Sequence, residues 1–217
     1  MDTPLLSAIL LCPVVALGLV LLTPPRLTGV VRWISALSAL VAGGLSFQLW
    51  RAYDTVAGGF QFVEIIPWVA EVGISYHLAV DGFSTILVML NSIVFFTGVL
   101  TMWDLETRVK EFFAFMLLLV IGVYGVFLSQ DLFFFFLFYE VAVVPMYPLV
   151  LIWGSGNREY AAMKLMLFLL AGSALLFPAL LSIYHASGLD TFNMILLAQK
   201  AFDPDFQIFV YPFVFLG

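Results

Sequence analysis

The sequence is short of charge. Only 10% of its 217 residues are Asp, Glu, Lys or Arg, while 64% are hydrophobic, and the mean hydropathy is +1.13. A soluble domain carries about 25% charged residues, so this chain cannot cover a globule with polar side chains, and the remaining solvent is lipid. Basic residues are scarcer still: 8 Lys and Arg against 14 Asp and Glu give a net charge of −6. That excludes nucleic acid as a partner, because phosphates need a basic surface. The lone cysteine, Cys12, excludes an intrachain disulfide and reads as a small apolar residue inside a hydrophobic run. The start, Met-Asp-Thr-Pro, lacks the basic region of a signal peptide, so the first apolar run reads as a retained helix. There is no CxxC, no HExxH, no Gly-rich phosphate loop and no nucleophile motif. His77 and His185 fall in loops with no partner at metal-ligand spacing, so no metal is expected.

What the sequence has is long apolar runs in series. A bilayer core about 30 Å thick needs roughly 20 apolar residues per helix. On that measure the runs lie at about 4–22, 30–50, 81–101, 112–129, 132–153 and 160–184, and a further one starts at about 206–217. The expected fold is all-α, a single polytopic transmembrane bundle of about six complete helices plus the start of a seventh. The Phe-rich run from Phe133 to Phe138 is read as helix as well, because a helix satisfies its own backbone in lipid and an open sheet edge does not. Between the second and third runs, Ile74, Tyr76 and Leu78 alternate with Ser75 and His77 after Glu71-Val72-Gly73, which predicts a small hairpin on the membrane surface. A polar linker is expected at about 185–205.

The basic residues set an orientation. Loops after the first, third and fifth runs hold Arg26, Arg32, Arg108, Lys110 and Arg158, whereas those after the second and sixth hold Arg51 and Lys200. The first set is expected to face the cytoplasm, with the N-terminus outside. The expected location is a bacterial inner membrane.

Glu140 is the strongest chemical signal, close to the middle of the fifth run. An ionised acid there costs about 2.5 kcal/mol or more, and Glu is too short to reach the interface. It is either a neutral acid bonded to a neighbouring helix or part of an ion or proton path. Pro145 and Pro148 follow it and leave the carbonyls of Val141 and Val144 without donors. That break is either a kink or a polar site beside the acid. Lys164, early in the sixth run, either extends to the interface or is a buried ammonium of lowered pKa that exchanges a proton with an acid. Asp81 and Asp131 open the third and fifth runs. Each is a helix-start acid complementing the dipole or a secondary path candidate.

The run from Asp131 to Glu140, followed by Val144-Pro145-Met146-Tyr147, resembles the fifth-helix signature of the antiporter-like subunits of respiratory complex I. It most resembles the chain M, or subunit 4, family. Residues Tyr76 to Ser84, Trp153-Gly154 with Arg158, and Ala161 to Leu165 with Gly172-Ser173 are similar to further parts of that family's N-terminal portion. The resemblance implies a proton-translocating membrane-arm subunit of NADH:quinone oxidoreductase, which couples quinone reduction to proton pumping. Glu140 and Lys164 match the family's path residues. It also implies no redox centre in this chain, with flavin, iron–sulfur clusters and quinone in partner subunits. The expected partners are other complex I membrane subunits and the lipid bilayer. In the family a lysine on a seventh helix completes the path, and 217 residues stop at the start of that helix. A partial sequence, a truncated product and a split subunit are the alternatives, and a separate C-terminal half is a further candidate partner. Two other functions stay in view: a subunit of a multi-subunit cation/proton antiporter or membrane-bound hydrogenase, and a non-transporting scaffold fragment.

Overall fold

The computed structural model describes residues 4–217. Six helical spans among them are long and apolar enough to cross a membrane, and the chain is an integral membrane protein with a polytopic helical bundle. The elements are α1 (Leu5–Leu22), α2 (Thr28–Ala52), β1 (Gln61–Val69), β2 (Ile74–Val80), α3 (Gly82–Thr101), α4 (Val109–Leu128), α5 (Leu132–Val143), α6 (Met146–Trp153), α7 (Arg158–Ser187), α8 (Met194–Ala198) and α9 (Pro204–Leu216).

Helix α4 starts earlier than expected because Lys110 and Glu111 lie in its first turn rather than in the preceding loop. Helix α7 reaches Ser187, which puts His185 on its last turn and not in a loop. The linker expected to be polar throughout holds α8, whose first amides are capped by Asn193. At 1.5 Å per residue the 30 residues of α7 span about 45 Å, more than the bilayer core, so its ends stand in the interface.

Small residues hold the first helices together. The buried face of α2 is Val31, Ser35, Ala36, Ser38, Ala39, Ala42, Ser46 and Leu49. Lipid tails are as apolar as Leu, so helices in a membrane associate through close backbone approach and hydrogen bonds. Both occur here. The Ser92 hydroxyl of α3 lies 2.7 Å from that of Ser46 and 2.6 Å from that of Tyr124, a fully buried side chain of α4. The Cys12 thiol donates to the Ser38 carbonyl at 3.4 Å.

The loops sort into two sides. On one, Arg32 bonds the Leu105 carbonyl at 2.8 Å, Lys110 that of Leu21 at 2.8 Å, and Trp153 that of Thr107 at 2.9 Å. Arg26, Arg108 and Arg158 lie in the same loops or at their edges, making this the Arg-rich side. The opposite side carries the hairpin. Strands β1 and β2 pair antiparallel, with Ile65 opposite His77 and Pro67 opposite Ser75, through a turn closed by Gly73 at φ 70°. That conformation suits glycine. The hairpin does not simply lie on the surface: β1 is largely exposed, whereas Leu78, Ala79 and Val80 of β2 are buried. Glu64 of β1 closes the start of α1, accepting from the amides of Leu6 at 2.9 Å and Ser7 at 3.1 Å, and from the Ser7 hydroxyl.

Candidate functional site

The site is built on α5 and the break that ends it. Helix α5 lies tightly against α4 because α4 presents glycine at the contact. A Cβ at Gly125 would overlap the Phe138 ring, and one at Gly122 would overlap Ala142. Phe138 and Ala142 are four apart and share a face. Glu140, halfway between them, is turned about 200° from Phe138 and so points away from α4. One turn before Glu140, Phe136 meets Phe177 of α7, with ring centroids 5.0 Å apart. The acid therefore looks toward the α7 side of α5.

Glu140 is half-buried, and its Oε1 is buried with no hydrogen-bond partner. The helix still closes at the acid, because the Val144 amide bonds the Glu140 carbonyl at 3.1 Å. Beyond it, Pro145 and Pro148 withhold the next donors. Val144 and Pro145 keep right-handed torsions, with φ/ψ of −52°/−46° and −71°/−16°. The interruption is therefore a loss of hydrogen bonds at the junction of α5 and α6, and the chain there does not unwind into a loop.

Lys164 lies on the exposed face of α7, its ammonium 5.9 Å from the centre of the Tyr160 ring. It lines a groove of about 420 Å³ with Tyr160, Met163, Leu167, Phe168 and Ala171. The structure does not bring Lys164 and Glu140 together. Among the described residues the one ion pair is Arg108–Glu111, on the surface of α4. Depth accounts for this. Glu140 is 13 residues from the Arg-rich end of its span and Lys164 is 6 from the start of α7, so they differ in depth by roughly 10 Å.

Asp81 and Asp131 are both helix caps. Asp81 accepts from the Ser84 amide at 2.7 Å, and this hydrogen bond holds its carboxyl below the ordinary carboxylate value. Asp131 is 0% exposed. Its Oδ1 accepts from the amides of Phe133 at 3.0 Å and Phe134 at 3.2 Å, and its Oδ2 from the Ser75 amide at 3.0 Å. Burial pushes its carboxyl up, against the pull of those amides. The residues around it tie β2, α5 and α8 together: Gln130 donates to the His77 carbonyl at 2.8 Å, Met194 to that of Gln130 at 2.9 Å, and Leu132 to that of Phe192 at 2.9 Å. The sequence could not place His77 here, because alternation in a hairpin does not say which strand is covered. Among the described residues no three His, Cys, Asp or Glu side chains converge as a metal site would require.

Residues 129–217 match the NADH:quinone oxidoreductase/Mrp antiporter transmembrane family. The chain is 35% identical over 96% of its length to the NAD(P)H-quinone oxidoreductase chain 4 2 of Thermosynechococcus vestitus, of which it covers 39%. It superposes with a TM-score of 0.85 and 26% identity on a chain of respiratory complex I from Thermus thermophilus, over 99% of itself and 43% of that chain. A chain of the membrane-bound sulfane sulfur reductase, an archaeal respiratory membrane complex, shares the fold at TM-score 0.81 and 20% identity, over 99% of this chain and 44% of that one. The chain thus spans about two fifths of the length of the relatives it matches.

Proposed function

As a homologue of NAD(P)H-quinone oxidoreductase chain 4, carrying the NADH:quinone oxidoreductase/Mrp antiporter transmembrane family in residues 129–217, this chain is, we propose, part of a proton-translocating membrane-arm subunit. It works beside other membrane-arm subunits. Electron transfer to quinone takes place in partner subunits that hold the flavin and iron–sulfur clusters, and this chain contributes a proton path. In a bacterial cytoplasmic membrane the Arg-rich side faces inward and the hairpin and N-terminus outward, as the distribution of basic residues favours.

The observation that carries this reading is the Glu140 carboxyl, deep in a span, turned from its own helix neighbour toward α7, with a buried oxygen left unbonded. An acid so placed needs a cation, a polar group or water as its partner. Lys164 serves as the exchange group on the Arg-rich side, and the gap between the two, which differ in depth by roughly 10 Å, is bridged by water or polar groups rather than by direct contact. The carbonyls freed by Pro145 and Pro148 supply acceptors for that water.

Replacing Glu140 by Gln in the assembled complex abolishes substrate-driven proton movement. Wild-type stoichiometry in that variant overturns the reading. The family also takes in Mrp antiporters, and co-purification with a flavin and iron–sulfur arm separates the two assemblies.

A further inference from the structure

His77 has no part in the path described so far, and its setting is unusual. It is 2% exposed, and both ring nitrogens are buried without a hydrogen-bond partner. A buried polar group left without a partner is destabilising, so a purely structural position would favour an apolar residue here. The strand holds the ring in place, through the Gln130 amide on the His77 carbonyl at 2.8 Å. Two residues earlier, Ser75 gives its amide and hydroxyl to Asp131 Oδ2 at 3.0 and 3.4 Å. Residues two apart on a strand share a face, which directs the imidazole to the side of the strand where Asp131 lies.

Asp131 is a buried carboxylate with amide donors on both oxygens and no ion-pair partner among the described residues. The charge it leaves uncompensated is the one an imidazolium would supply. Burial lowers the proton affinity of His77, and the Asp131 carboxylate raises it. The other ionisable groups nearby are committed elsewhere. Ile65 stands opposite on β1, and Glu64 is bonded to the start of α1. Tyr76 meets the Ser7 hydroxyl, Asp81 caps α3, and Tyr124 meets Ser92. Asp131 also caps the helix that bears Glu140, nine residues or about 13 Å further on.

We propose that His77 is a proton-carrying site on the hairpin side of the path to Glu140, with Asp131 as the fixed counter-charge that positions it. The proposal rests on the Glu140 reading. A proton from water on the hairpin side bonds to a ring nitrogen and makes an imidazolium beside the Asp131 carboxylate. The N–H bond then breaks as a water on the Glu140 side takes the proton, the ring returns to neutral, and no electrons change hands. Asp131 keeps its bonds from the Ser75, Phe133 and Phe134 amides throughout.

The chain has two histidines, so nitrogen-resolved NMR of the full chain in nanodiscs follows each ring, and His185→Gln assigns them. His77 is expected to titrate below the ordinary histidine range, because it is buried. Asp131→Asn keeps a side-chain oxygen to cap α5 but removes the charge, and there the His77 midpoint falls further. Glu140→Gln leaves that midpoint in place. A His77 ring that does not titrate, or that ignores Asp131→Asn, overturns the proposal. In membranes holding the assembled complex, His77→Gln slows proton movement about a hundredfold, the lower end of what a positioned proton-transfer group contributes. If His77→Gln moves protons as wild type does while Glu140→Gln does not, this proposal fails and the Glu140 reading stands. If Glu140→Gln alone is unaffected, the Glu140 reading fails and the proton enters by His77 along another route.

Discussion

The helices before residue 129 and those after it are comparably apolar yet pack differently. Half of the spanning window of α4 is buried within the chain, against 22% for α7 and 11% for the span Leu132–Trp153. In the first part the helices turn a shared core toward one another, from Leu6 and Ile9 through Val31 and Val88 to Phe113, Leu117 and Tyr124. The α1–α4 body meets partly through the Ser and Ala residues of α2, with a Ser46–Ser92–Tyr124 hydroxyl cluster inside. The α5–α7 part turns Leu137, Val144, Met163, Leu167 and Phe168 outward. In lipid, hydrophobicity gives no reason for two helices to meet, and small residues and hydroxyls do. Glu140 and Lys164 of the proposed path lie in the less buried second part.

That division can be broken most severely at Glu140. Glu140→Gln is expected to abolish proton movement in the assembled complex while the thermal unfolding midpoint of the chain in detergent stays within a degree or so of wild type. A large drop in stability would make the acid a structural member of the body instead. Next comes the seam between the two parts. Gly125→Ala puts a methyl group into the Phe138 ring and should cost about 1–3 kcal/mol, read as a lowered unfolding midpoint. Gly43→Ala, where a Cβ meets nothing within 4 Å, is the control and should leave that midpoint unchanged or slightly raised. Within the body, Tyr124→Phe removes one hydroxyl from the buried cluster and should cost about 1 kcal/mol.

The smallest effect tests a cap and depends on pH. The folded structure depresses the Asp81 carboxyl through the Ser84 amide. Its contribution is thus complete above the ordinary carboxylate range and is lost as the pH falls through the lower, folded value. Asp81→Asn caps without titrating. The gap in unfolding midpoint between wild type and this variant should be constant near neutrality and should shift against wild type on acidification. A gap independent of pH would remove Asp81 from the capping of α3.

The spans were legible because lipid imposes a length and a polarity on each of them, and α1 and the span Leu132–Trp153 begin and end within a residue of expectation. The break after Glu140 was legible from the missing proline amides. Contacts between residues far apart in the chain were not. Nothing local marks Glu64 as the partner of Leu6, or β2 as the covered strand, and a stretch between two spans reads as exposed until something is known to sit on it. Asp131 carried a cue in its place one residue ahead of a helix, but its complete burial arises from Ser75 and from the segment before α8.

The bond from Glu64 to the amides of Leu6 and Ser7 also bears on biosynthesis. When α1 leaves the ribosome, the partner for the amides of its leading turn is still 57 and 58 positions downstream. Until α2 has crossed and the strand after it has reached the same face of the bilayer, those amides depend on water, and the depth of α1 is free to drift. Its final seating is thus a late event in membrane insertion, fixed by a residue that does not yet exist when the segment is first threaded in.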